Sequence, residues 1–288
     1  MIEVLDSWLH LRCVRDREGG RTVVLLHGNP TSSHLWRHVL SAAESAKRTG
    51  EQWIAPDLVG MGSSGKPDSR YRLQDHLEYI DALFDASAWS DVVLVGHDWG
   101  VTIALDWARR HPEQVRALAV MEGHLRPLPD WDAFDAGGRE LFQSLRAPGT
   151  GERMVLEENF FIDTLLPGGL LRTLSGNDLS PYQVPYPDPA SRRPLLQWAR
   201  EIPISGHPAD AAARMQANAD YLTTTHVPVL LVHGQPGVLV TPATLDWCRE
   251  RIHNLTVMDV GGPGGHFLPE DRPAEVASAL ITWVAQLP

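Results

Sequence analysis

Residues 94–100 read Leu-Val-Gly-His-Asp-Trp-Gly, and the residues on either side of them decide the fold. The run DVVLVG (91–96) before the turn has the continuous apolar character of a buried strand. VTIALDWARR (101–110) after it carries helix-spaced apolar residues until His111-Pro112 stops it. Strand, sharp turn and helix are the context of the nucleophile elbow, G-x-nucleophile-x-G, which pushes its middle side chain out at the strand's C-terminal end. The middle residue here is Asp98, where serine is more usual. An aspartate at this place can also serve only as a helix N-cap. The rest of the chain has to decide between the two.

Outward from the elbow, further runs of the same kind recur: TVVLLHG (22–28), WIAPDL (53–58), RALAVME (116–122), VPVLLVHG (227–234) and LTVMDVG (255–261). Such Val/Leu runs are expected of central parallel strands, whose two faces are both covered by helices. Leu9, Leu11 and Cys13 alternate with polar residues ahead of Gly19-Gly20, which reads as an early strand and hairpin; Ala274 to Leu287 reads as a closing helix. Strand and helix alternate, which is the signature of an α/β sheet. The alternation breaks between 124 and 221, where aromatic and leucine residues sit among charges in helical patterns, with a Pro-rich connection from Ser180 to Pro194. The expected organisation is a mostly parallel core formed by 1–123 and 222–288, with a helical cap, 124–221, inserted between its halves.

Composition narrows the function. The 288 residues carry a formal net charge of −11, which argues against nucleic acid or an anionic membrane surface as partner. No apolar run approaches the ~20 residues of a membrane span, and the N-terminus lacks the pattern of a signal peptide. Two cysteines, Cys13 and Cys248, are too few for a disulfide framework and point to a cytoplasmic setting. No metal motif occurs, and scattered histidines such as His34, His38, His76 and His253 read as surface or packing residues. The stretch GMGSSG (60–65) has the spacing of a dinucleotide fingerprint. Lys66-Pro67-Asp68-Ser69 follows it, however, where both dinucleotide and phosphate loops need a helix to open, so a turn is the better reading.

The partners of Asp98 favour chemistry over capping. His27-Gly28-Asn29-Pro30 follows an early strand, where an α/β hydrolase places its oxyanion loop; the amides of Asn29 and Trp99 would converge on a developing oxyanion. His266, in GGPGGHF after the last strand, stands where such folds place the general base. The orienting acid often follows the next-to-last strand, but residues 235–242 contain no carboxylate. Glu122, at the end of the strand after the elbow, becomes the leading candidate.

HGNPTSSHLWR (27–37), APDLVGMGSSGKPD (55–68), GHDWG (96–100), MEGHLRPLPDWDAF (121–134), LEENFF (156–161), SRRPLLQWAREIPI (191–204) and HFLPED (266–271) together resemble the haloalkane dehalogenases, over nearly the whole chain. The resemblance is to the subfamily that pairs the elbow tryptophan with an asparagine as halide ligands and takes its acid from the strand after the elbow. It implies the α/β-hydrolase fold, no cofactor, and hydrolysis of a small halogenated hydrocarbon by water to alcohol, halide and a proton. It also implies Asp98 as nucleophile, His266 as base, Glu122 as acid, and Asn29 with Trp99 as the halide clamp. The chemistry agrees: a carboxylate can displace a halide in line at an sp3 carbon and leave a hydrolysable ester, while the indole N–H and the amide NH2 are donors that stabilise the leaving anion. Two positions depart from the family's usual pattern: Gly123 replaces a bulky apolar residue, and the loop before His266 is one residue longer. Epoxide hydrolases share the elbow aspartate but need cap tyrosines, for which Tyr182 and Tyr186 are the candidates. Coelenterazine luciferases share the fold as cofactor-free oxygenases. A catalytically silent binding protein is the remaining alternative.

Overall fold

The computed structural model describes residues 1–15, 20–46 and 51–288. Its sheet has seven strands: β3 (Leu11–Arg15), β4 (Arg21–Leu26), β5 (Glu51–Pro56), β6 (Val92–His97), β7 (Val115–Met121), β8 (Val229–His233) and β9 (Leu255–Asp259). Their order is β3-β5-β4-β6-β7-β8-β9. All neighbouring pairs are parallel except β3 with β5. Two short strands, β1 (Ile2–Val4) and β2 (Ser7–Leu9), form a separate antiparallel ribbon.

Alternation along each strand explains the apolar runs. Val23, Leu25, Val93, Val95, Ala117 and Ala119 face one side, packed with helix α1 (Arg37–Ser45) and the closing helix Pro273–Val284. Val24, Leu26, Leu94, Leu118 and Val120 face the other, packed with α2 (Leu73–Ser87) and α3 (Trp99–Arg110). Because both faces are dry, neither set of positions can be polar.

Two expectations are corrected. The early strand does not form a hairpin with β4: β3 pairs antiparallel with β5, which lies between them, and Gly19 of the expected turn lies outside the described residues. The Pro-rich stretch is not wholly a connection, since Pro181 lies within the helix Gly176–Gln183. The expected cap boundary at 221 falls inside the helix Ala209–Thr224, which packs along α3 of the core. Asn218 accepts from Arg109 and donates to the Thr102 carbonyl, and Arg214 joins Arg109 and Arg110 on the fully buried Asp106.

The region between β7 and β8 is tied to the core beside the last loop. Glu270, buried completely, takes hydrogen bonds from Arg37 of α1 and from Arg172 and Tyr182 of the inserted region. Asp271 accepts from the Leu171 amide at 2.8 Å. Replacing Glu270 by alanine would take from Arg37 its buried partner and from the buried Tyr182 hydroxyl its acceptor. We therefore expect Glu270→Ala to cost about 3–5 kcal/mol in urea unfolding. Asp68→Ala, which removes the exposed Arg193–Asp68 pair, should cost under ~1 kcal/mol; equal losses would contradict this difference.

Candidate functional site

Three neighbouring strands deliver three groups to one place. The C-terminal ends of β4, β6 and β7 lead into Asn29, Asp98 and Glu122, and the loop after β9 brings His266 over them. Asp98 has φ 52° and ψ −124°, and Glu122 has φ 41°, backbone conformations that side-chain-bearing residues rarely adopt. The Asp98 turn is tight because α3 must start against β4: a Cβ at Gly100 would lie 2.1 Å from the Leu26 carbonyl oxygen. Asp98 makes no side-chain cap bond to α3. Its Oδ2 instead accepts from the Asn29 amide at 2.7 Å.

Glu122 is fully buried and accepts from three successive backbone amides, Val238 (3.1 Å), Leu239 (2.9 Å) and Val240 (3.3 Å). The loop after β8, which lacks a carboxylate of its own, therefore serves the carboxylate of the neighbouring strand. His266 lies between the two acids, Nε2 3.9 Å from Asp98 Oδ1 and Nδ1 4.0 Å from Glu122 Oε2. Both distances are longer than hydrogen bonds, as is common before a reactant tightens a site. Its backbone carbonyl is held at 2.7 Å by the Nε2–H of His97 in the elbow.

The helix Arg193–Glu201 of the inserted region positions the other two residues. Asn29 donates its side-chain amide to the Leu195 carbonyl at 3.1 Å, and Trp99 stacks at 4.5 Å on Trp198, which stacks in turn at 4.1 Å on His76. Asn29, Asp98, Trp99 and His266 line one cavity of about 200 Å³, whose remaining wall is made largely by Phe134, Phe142, Phe161, Leu165, Ile202 and Phe267. Apolar space of ~150 Å³ already holds a benzene molecule, so this cavity suits a small apolar ligand. Gly123 is explained by close packing at the elbow: a Cβ there would lie 2.6 Å from Val101 Cγ2 and 2.8 Å from the Asp98 carbonyl.

Burial governs the site's charges. It pushes the Asp98 and Glu122 carboxyls each up to about 7, against the opposing pull of the backbone amides they accept from. It pushes the His266 imidazole well below its ordinary value, aided by neighbouring His97 and His124. Above pH 7 the site holds two carboxylates and a neutral imidazole. That combination can deliver a nucleophile, a base and an orienting acid.

All five residues expected from sequence surround this cavity or, for Glu122, stand directly behind it. His97, Trp198 and the 238–240 amides escaped sequence reading, since a carbonyl clamp, a ring stack and a backbone cradle leave no motif. His124, which also lines the cavity, was visible only as the residue two places after Glu122. Tyr182 and Tyr186, 1% and 2% exposed, do not line it. The Gly60–Gly65 turn is occupied by the chain's own Asp57, which accepts from the Ser33 and Ser63 amides, and no helix opens there.

The α/β hydrolase fold family matches residues 21–273. A haloalkane dehalogenase of Mesorhizobium japonicum is 41% identical over 99% of this chain and 91% of its own length. Among solved structures, an ancestral haloalkane dehalogenase is 39% identical with a TM-score of 0.93, covering 99% of this chain and 98% of its own. The haloalkane dehalogenase DbeA of Bradyrhizobium elkani is 38% identical with a TM-score of 0.93, over 99% and 96% of the two chains.

The raised Asp98 carboxyl has a consequence for stability. Between pH 4 and 7 the folded chain keeps a proton that the unfolded chain has lost, so this group makes stability fall as pH rises through that window. Asp98→Asn is expected to match the parent near pH 4 and to exceed it by about 2–4 kcal/mol at pH 8 in denaturant titrations. A pH-independent difference would show that burial does not raise this carboxyl.

Proposed function

Because the chain belongs to the haloalkane dehalogenases, an α/β-hydrolase family, we propose that it hydrolyses small haloalkanes to an alcohol, a halide ion and a proton. The observation that carries this is the Asp98 carboxyl at the elbow of a largely apolar cavity beside two uncharged side chains that can donate, Trp99 and Asn29. In this reading Asp98 Oδ1, the oxygen facing His266 while Oδ2 rests on the Asn29 amide, attacks the halogen-bearing carbon in line. The carbon–halogen bond breaks and the halide leaves with its electron pair toward the indole N–H of Trp99 and the side-chain amide of Asn29. Neutral His266 then takes a proton from water, whose oxygen attacks the ester carbonyl of Asp98 while the Asn29 and Trp99 amides hold the oxyanion. Collapse releases the alcohol and restores the carboxylate. Glu122, anchored by its three amides, orients the imidazole and balances its charge.

We propose the inserted region, from 124 to the start of the helix at Ala209, as the cap that closes this cavity. Among the described residues no helix is long and apolar enough to cross a membrane. Both cysteines are free, which suits the proposed cytoplasmic setting. Epoxide opening is disfavoured by the position of Tyr182, whose hydroxyl donates to Glu270 away from the cavity.

Halide release from terminal bromoalkanes and dibromoalkanes tests the reading: bromide should appear with the parent chain and vanish with Asp98→Ala. Bromides and iodides should react faster than matched chlorides, because leaving-group ability enters the displacement. A folded chain that releases no halide from any of them would refute dehalogenation. kcat/KM, which reports the steps through carbon–halogen cleavage, should climb with pH about tenfold per unit below 7 and level off above it as the Asp98 carboxyl loses its one proton. A profile flat from pH 5 to 8 would contradict the charge state assigned to the nucleophile.

A further inference from the structure

The cavity contains one polar side chain that the proposed reaction does not use. His124 lines it together with Asn29, Asp98, Trp99 and His266, and every other lining side chain is apolar or a glycine. It sits there because Glu122-Gly123 turns tightly against the elbow, Gly123 packing on Val101 and on the Asp98 carbonyl. Its ring has no hydrogen-bond partner among the described residues, whereas His97 and His27 each have theirs. Burial alone pushes its imidazole down to about 4, so near neutral pH it is uncharged, with one N–H to donate and one nitrogen to accept.

An imidazole on an apolar wall loses contact with water when an apolar ligand fills the cavity, and a ligand bearing a hydroxyl offsets that loss. A plain alkane chain leaves both nitrogens unsatisfied. A halogenated alcohol satisfies one of them while its carbon–halogen end lies at Asp98. From this geometry we infer that His124 is a specificity-determining residue that selects haloalkanes bearing a hydroxyl group, the substrate's hydroxyl hydrogen-bonding to its ring.

The inference rests on the dehalogenation reading, and its test separates the two. The parent chain, His124→Leu and His124→Asn are compared on ω-bromoalkanols and n-bromoalkanes of matched length. The ratio of kcat/KM for alcohol over alkane is expected to fall about tenfold in His124→Leu, mainly through KM, and to be largely restored in His124→Asn, which keeps a donor and an acceptor. An unchanged ratio in His124→Leu, or an equal loss on both series, would overturn it. Binding of the unreactive pair pentan-1-ol and 1-fluoropentane, followed by headspace gas chromatography, needs no turnover. If no bromide is released from any compound, dehalogenation fails, and this pair still decides: a preference for the alcohol that disappears in His124→Leu supports the role of His124, and no preference overturns it.

Discussion

The burial of a carboxylate at the end of the central strand is the constraint to which the rest of the site answers. Asp98 sits in a backbone conformation that L-residues avoid, in surroundings dry enough to lift its carboxyl to about 7. Such a group is poorly stabilised by solvent, and a poorly solvated carboxylate attacks carbon readily. The fold limits the cost by aiming a backbone amide at one oxygen, through Asn29, and leaving the other toward His266. Glu122 repeats the arrangement with three amides. Among the described residues no cation acts on either carboxyl, and backbone amides hold both beside the neutral His266 imidazole.

A second dependence runs through the helix Arg193–Glu201. Its Leu195 carbonyl fixes the Asn29 side chain and its Trp198 ring fixes Trp99, so one helix positions both of the proposed halide donors beside Asp98. The Glu270 cluster ties that region to α1 and to the helix that begins two residues after His266. His266, Asn29, Trp99 and the cavity wall are therefore held by common supports, and a disturbance in the region's packing should reach the proposed chemistry.

Much of this was legible in the chain, for a physical reason. A parallel strand buried on both faces has to be apolar throughout, which marks where it stops; Asp98 and Glu122 come directly after such strands and Asn29 follows β4 within the next loop. Two-sided burial also made β4 to β8 readable to within a few residues, and β9 was readable from its run LTVMDVG although it lies at the sheet edge and is only partly buried. β3 was readable as a strand but not in its pairing, because its partner β5 lies farther along the chain than β4 and nothing local distinguishes them. The helix Ala209–Thr224 runs across the expected limit at 221 because its buried face packs against α3 of the core, a match that the local sequence does not display. The cradle for Glu122 was invisible, since backbone amides have no residue type. So was the isolation of His124, which depends on what does not surround it.

The central claim is that the oxygen bonded to carbon comes from Asp98 and not from water. A single turnover of a bromoalkane in water enriched in oxygen-18, with enzyme in excess, addresses it directly. The account predicts an alcohol carrying ordinary oxygen, with the heavy isotope in the peptide containing Asp98. Heavy oxygen in the first-turnover alcohol, and none in that peptide, would contradict it.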